Sequence, residues 1–158
     1  MNLSRRSCAL IVLFALAGCG GGGGGGGGGP SEVAEPNNDQ TQATALALPG
    51  TASQVIGTED DEDWYRITVP AGGATVRIRT RDASGTTCNN VDTAVLVLSG
   101  TGTLLAIEDD TPVPTCEDFT VPVPEGTNYI VVGGFPSTPV CSSCRIPFAY
   151  SLEVSIVP

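Results

Sequence analysis

The chain has 158 residues with 17 acids against seven arginines, no lysine, no histidine and a net charge of −10. An acidity this strong excludes the electrostatic footprint of a nucleic-acid binder and direct adsorption to anionic lipid. The missing histidine excludes Ser-His-Asp chemistry and HExxH zinc hydrolysis.

In chain order, residues 1–18 read as an export signal: Arg5 and Arg6 precede the apolar run CALIVLFALA (8–17), which is too short to span a bilayer. The run ends in Leu16-Ala17-Gly18-Cys19, which resembles a bacterial lipoprotein cleavage box. That resemblance implies cleavage before Cys19, lipidation of its thiol and amino group, and a membrane partner reached through the acyl chains. Gly20 after the cysteine, where an Asp would signal retention, favours the outer membrane. Gly20 to Gly29 form an unbroken glycine tract, a flexible tether with a reach of roughly 15–20 Å. Residues 19–30 are thus anchor and tether, and 31–158 the folded domain. Without Arg5 and Arg6, five arginines face 17 acids in the exported part, a net of −12.

The domain reads as strand and turn. Alternating runs occur at WYRITV (64–69), ATVRIRT (74–80), TAVLVLS (93–99), TLLAIE (103–108), FTVPV (119–123), NYIVVGG (128–134) and FAYSLEVSIV (148–157), with a short QVIG at 54–57. About eight strands, punctuated by PAGG, SGTG and PEGT turns, predict an all-β antiparallel sandwich or jelly roll. Thr41 to Leu48 is expected to form one helical turn. If successive strands run antiparallel, the three glycine turns share one end. The acidic run Glu59 to Asp63, the Cys88 loop, the 108–116 loop and CSSC (141–144) share the other.

Cys88, Cys116, Cys141 and Cys144 read as two disulfides in an exported domain. Three pairings are open; the expectation carried forward is Cys88–Cys116 with Cys141–Cys144. CSSC has redox spacing, but it sits in a Pro-rich loop instead of opening a helix, so a structural bridge is the reading over a redox lipoprotein. No GxSxG elbow is present. Five adjacent acids on an exposed turn suit solvation or cation binding better than acid/base catalysis, and no enzyme is expected.

Calcium takes six to eight oxygens from carboxylates, carboxamides and carbonyls. Glu35, Asn37 and Asn38 on one side, with Asp60 and Asp63 on the other, have that chemistry. On the solvent side, pairing across a PAGG hairpin sets Arg79 opposite Trp64 and Arg77 opposite Arg66. That predicts an arginine–tryptophan patch for an anionic polysaccharide or a peptide.

EPNNDQTQATAL, DWYRITVPAGG, VDTAVLVLSGTGTLLAIEDD, VPEGTNYIVVGGF and AYSLEVS together resemble the bacterial pre-peptidase C-terminal domain, over Glu35 to Val157. The resemblance implies a non-catalytic β-sandwich of the kind appended to secreted peptidases. It further implies a calcium site like that of the related collagen-binding domains, with Glu35, Asn37, Asn38, Asp60 and Asp63 at matching positions. Val33 and Asn38 stand where relatives carry acids. The functional expectation is a lipid-anchored surface module recognising a polysaccharide or protein. A structural envelope lipoprotein without a ligand of its own is the alternative.

Overall fold

The computed structural model describes residues 35–88, 91–109, 116–134 and 146–158. The expected signal peptide, Cys19, the glycine tract and the Cys141/Cys144 pair lie outside the described residues. Nine strands and no helix occur among them: β1 (Thr44–Ala45), β2 (Gly50–Ile56), β3 (Glu62–Val69), β4 (Ala74–Asp82), β5 (Thr93–Ser99), β6 (Leu104–Glu108), β7 (Asp118–Val123), β8 (Gly126–Gly134) and β9 (Phe148–Val157). They form a five-stranded sheet, β1-β3-β8-β5-β6, and a four-stranded sheet, β2-β9-β4-β7. All pairings are antiparallel except the short β1–β3 contact. This is the β-sandwich that the alternating runs predict.

Alternation explains the layers. In β3, Asp63, Tyr65, Ile67 and Val69 are buried, and the residues between them face out. Val76 and Ile78 of β4, Ile130 and Val132 of β8, and Leu152 and Val154 of β9 fill the space between the sheets. Burying such side chains contributes roughly 1.5–3 kcal/mol each.

The expected helical turn at Thr41 to Leu48 does not form. Asp39 accepts from the Thr41 and Gln42 main-chain N–H groups at 2.7 and 3.1 Å, an Asx-type turn. The chain then runs straight into β1, where Leu46 N–H donates to the Arg66 carbonyl at 2.9 Å. Leu46 and Leu48 pack on the core.

The PAGG segment differs from expectation in a way that matters for function. It is not a hairpin: β3 pairs with β8, and β4 pairs with β7 and β9. PAGG crosses from one sheet to the other. Gly73 N–H donates to the Pro70 carbonyl at 3.1 Å, and Gly73 has φ +76°. A Cβ at Gly73 would lie 2.9 Å from the Val123 carbonyl, so glycine is required there. Gly72 N–H donates to Glu125 at 2.8 Å, placing PAGG and PEGT at the same end.

The two outer faces are chemically opposite. On the five-stranded sheet, cross-strand register lines up Trp64, Val131, Leu96 and Ile107, and beside them Arg66, Tyr129, Leu98 and Leu104. Leu104 and Ile107 are 52% and 53% exposed. On the four-stranded sheet the corresponding row is Thr51, Glu153, Arg79 and Asp118, followed by Ser53, Ser151 and Arg81.

Candidate cation site at the opening segment

The opening segment is held by the start of β3. Trp64 N–H donates to the Asn37 carbonyl at 2.9 Å. Asn37 and Asp63 are both fully buried, and Asn37 Nδ2 donates to Asp63 Oδ1 at 2.9 Å. Tyr150 OH donates to Asp63 Oδ2 at 2.7 Å, and the Tyr65 and Tyr150 hydroxyls lie 2.7 Å apart. A phenol has one proton, so with Tyr150 giving its own to Asp63, Tyr65 is the donor to Tyr150. The relay runs from Tyr65 to Tyr150 to Asp63 and ties β9 of one sheet to β3 of the other.

Burial pushes the Asp63 carboxyl up from an ordinary 3.8 to about 6; the charges of Asp61 and Glu35 add to this, while Tyr150 and Asn37 oppose it. Burial also raises both phenols, which stay protonated donors.

With its nitrogen engaged by Asp63, Asn37 presents Oδ1 in the other direction, buried and without a hydrogen-bond partner. Glu35 behaves similarly: Oε2 accepts from Asn37 N–H at 3.1 Å, and Oε1 is buried and unpartnered. Gly57 N–H donates to Asp61 Oδ2 at 2.6 Å, fixing that carboxylate. One end of the Asn38 carboxamide lies 2.9 Å from Asp61 Oδ1 and 3.0 Å from the Glu62 carbonyl. With nitrogen at that end it donates to both, the orientation that satisfies both ends of the carboxamide in the metal-free fold. If it is oxygen, three acceptors converge with no proton among them, an arrangement that a cation reconciles.

The candidate donor set for a cation is Glu35 Oε1 and Asn37 Oδ1, both buried and unpartnered, joined by Asn38 Oδ1, Asp61 Oδ1 and the Glu62 carbonyl when the Asn38 carboxamide turns its oxygen to them. It is all oxygen, and it suits a hard ion of the calcium class with water completing the shell. No three His, Cys, Asp or Glu side chains converge as a metal cluster among the described residues. This set reaches its number only through carboxamides and a main-chain carbonyl.

Of the residues singled out in the sequence, Glu35, Asn37, Asn38 and Asp63 come together. Asp63 stands behind Asn37 and orients it. Asp60 is exposed and outside the hydrogen-bonded cluster; its neighbour Asp61 faces Asn38 instead. Asp61 was hidden among five acids, and its contacts with Gly57 and Asn38 distinguish it. Cys88 and Cys116 form a disulfide with Cα atoms 5.4 Å apart, joining the segment after β4 to the start of β7.

The arginine–tryptophan patch does not exist as one surface. Trp64 stacks edge-on against Tyr129, ring centres 6.2 Å apart, and its Nε1–H donates to Glu62 at 3.1 Å. Arg66 shares that sheet. Arg77 and Arg79 lie on the opposite sheet and pair with Asp118 and Glu153. The sheet-to-sheet crossing at PAGG separates them.

This sandwich, with its acid-capped β3 and PAGG crossing, can be set against known proteins. Residues 61–134 match the bacterial pre-peptidase C-terminal domain. The opening segment precedes the matched residues. No curated protein matches the chain. Among solved structures, the pre-peptidase C-terminal domain of a collagenase from Bacillus anthracis is similar at 15% identity. The likeness covers 71% of this chain and 93% of that one, with a TM-score of 0.52. At that identity it shows the fold. The K1 cleaved adhesin domain of Lys-gingipain from Porphyromonas gingivalis W83 is 18% identical, covering 68% of this chain and 73% of that one, with a TM-score of 0.38.

Proposed function

We propose that this protein is a non-enzymatic, calcium-stabilised binding module, held at the outer membrane by lipid on Cys19 and recognising a polysaccharide or protein outside the cell. The observation that carries the calcium reading is the pair of buried, unpartnered oxygens on Glu35 and Asn37 beside the Asn38–Asp61–Glu62 contact. Two buried acceptors without donors cost free energy in the metal-free fold, and a bound cation removes that cost. Calcium would be held by Glu35, Asn37, Asn38, Asp61 and the Glu62 carbonyl, and would supply rigidity to the segment entering the domain. Asp63 keeps the Asn37 carboxamide turned toward it. The collagenase relative and the family match support a binding module. The lipobox supports the anchor.

Thermal unfolding of the oxidised protein in EGTA and in calcium tests the site. At a hundredfold excess over Kd, linkage raises stability by about 2.7 kcal/mol, several degrees in Tm. Asp61→Ala is expected to abolish the shift and Asp60→Ala to leave it. An unshifted wild type, or a shift that survives Asp61→Ala, refutes the site. Loss of radiolabelled fatty acid on Cys19→Ser checks the anchor separately.

A further inference from the structure

The outer face of the four-stranded sheet holds a groove of about 240 Å³, with walls supplied by β2 and by the turn after β4. Arg79, Arg81 and the Glu153 carboxylate that Arg79 holds lie on its floor, flanked by the hydroxyls of Thr51, Ser53, Ser84 and Ser151. We propose that this groove binds the carboxylate and hydroxyls of a uronic-acid residue in an acidic polysaccharide. The inference rests on the binding-module reading and assigns it a ligand class and a place.

The supply of hydrogen-bond donors is the first observation. Three guanidinium groups on β4 share two carboxylates. Arg77 takes both oxygens of Asp118, at 2.8 and 3.0 Å. Arg81 Nη2 reaches the same Oδ2 at 3.3 Å, and Arg79 Nη1 donates to Glu153 at 3.1 Å. The Asp82 carboxylate is turned into its own turn, where it accepts from Ser84 and from Thr87. With Asp82 counted, three carboxylates balance the three guanidiniums, so what sets this floor apart on a protein with 17 acids is its concentration of N–H donors. Each guanidinium has five N–H donors. Arg79 uses one in its bond to Glu153, and Arg81 uses two, to Asp118 and to the Thr80 carbonyl. N–H groups at the Nη ends of both guanidiniums remain for an oxyanion partner, while Arg79 Nε is buried 3.4 Å from Asp118.

Rigidity is the second. Gly85 N–H donates to the Asp82 carbonyl at 2.8 Å, and Asp82 N–H to the Thr87 carbonyl at 2.8 Å. Ser151 Oγ donates to the Asp82 carbonyl at 3.2 Å, fastening the wall to the floor. The Cys88–Cys116 bridge follows directly. The groove is thereby formed before any ligand arrives, which lowers the ordering cost of binding.

Size and lining choose the ligand. The volume is below the roughly 300–1,000 Å³ of drug-sized sites, so one substituted ring enters and a chain continues outside. No aromatic side chain lines the groove, and hydroxyls surround the arginines, which fits a hydroxylated acid better than a peptide side chain.

Isothermal titration of the calcium-loaded protein with an oligomeric polyuronate tests this, with a sulfated glucan, a neutral glucan and polyglutamate as parallel probes. Polyuronate is expected to bind, with affinity falling as salt rises, and the neutral glucan is expected not to. Arg79→Lys/Arg81→Lys keeps both charges and removes both forks; it is expected to weaken binding at least about tenfold, the loss of one charge-assisted hydrogen bond. Ser53→Phe fills the groove without replacing an arginine and is expected to abolish binding in a protein of unchanged Tm. Polyuronate binding that survives both variants overturns the groove while leaving the module reading intact. Equal binding of sulfated glucan or polyglutamate overturns the uronate assignment. No binding of any probe overturns the inference, whereas the calcium shift reports on the parent reading independently.

Discussion

Substituting Asp63→Asn changes one buried atom and removes one buried ionisation. In the metal-free protein, burial holds this carboxyl at about 6 against an ordinary 3.8. The folded state therefore binds the proton more tightly than the unfolded chain. Stability from this group is fully present below about pH 4 and is lost as pH rises through about 6. The shift of about two units corresponds to up to about 3 kcal/mol. The expected experiment is urea unfolding in EGTA between pH 4 and 8, followed by the fluorescence of Trp64, the single tryptophan. Wild type is expected to lose stability between pH 4 and 6 beyond the loss shown by Asp63→Asn. At pH 7.5 the wild type is expected to have lost up to about 3 kcal/mol, relative to pH 4, that the variant keeps. Burial also raises Asp92, with the Asp109 charge adding to it, so part of the slope persists in the variant. Added calcium is expected to stabilise wild type more than the variant, because the new carboxamide no longer obliges Asn37 to present its oxygen. Parallel pH profiles for the two proteins in EGTA would refute the reasoning about Asp63.

Two further outcomes are expected. Gly73→Ala forces a side chain into a left-handed backbone position and against the Val123 carbonyl, and is expected to cost more than about 1 kcal/mol in urea unfolding, whereas Ala71→Gly in the same turn costs a few tenths. Cys88→Ser/Cys116→Ser opens a loop of 28 residues and is expected to lower stability by about 3–4 kcal/mol, measured as a shift in urea midpoint against the oxidised wild type.

The layers were legible because alternation is local: in β3 every second residue is apolar or buried, and a single strand shows it. Which strand pairs with which is not local. PAGG has the composition of a hairpin turn, and only the competition among β4, β7 and β9 for partners turns it into a crossing. The arginine–tryptophan patch depended on that pairing and dissolved with it. At the site, residue types were readable but roles were not. Asp63 follows four other acids, and nothing in its spelling says that it lies beneath two tyrosine hydroxyls. The Tyr150 partner is 87 residues away. Asp60 and Asp61 are the same letter, and the difference between them lies in the contacts with Gly57 and Asn38. Thr41 to Leu48 has helical propensity, which a single Asp39 side chain overrides.

The Asn37 hook also has a mechanical meaning. Between Asn37 and β1 lie only a turn and a few residues of extended chain, so any pull on the polypeptide ahead of Glu35 meets Asn37 before it meets a strand. Its main-chain bond to Trp64 and its side-chain bond to Asp63 both sit at the start of β3, one strand in from the sheet edge. Load entering from the amino-terminal side is delivered there, to an inner strand instead of to the peelable rim. A cation on the neighbouring oxygens would act as a clasp at the point where tension arrives.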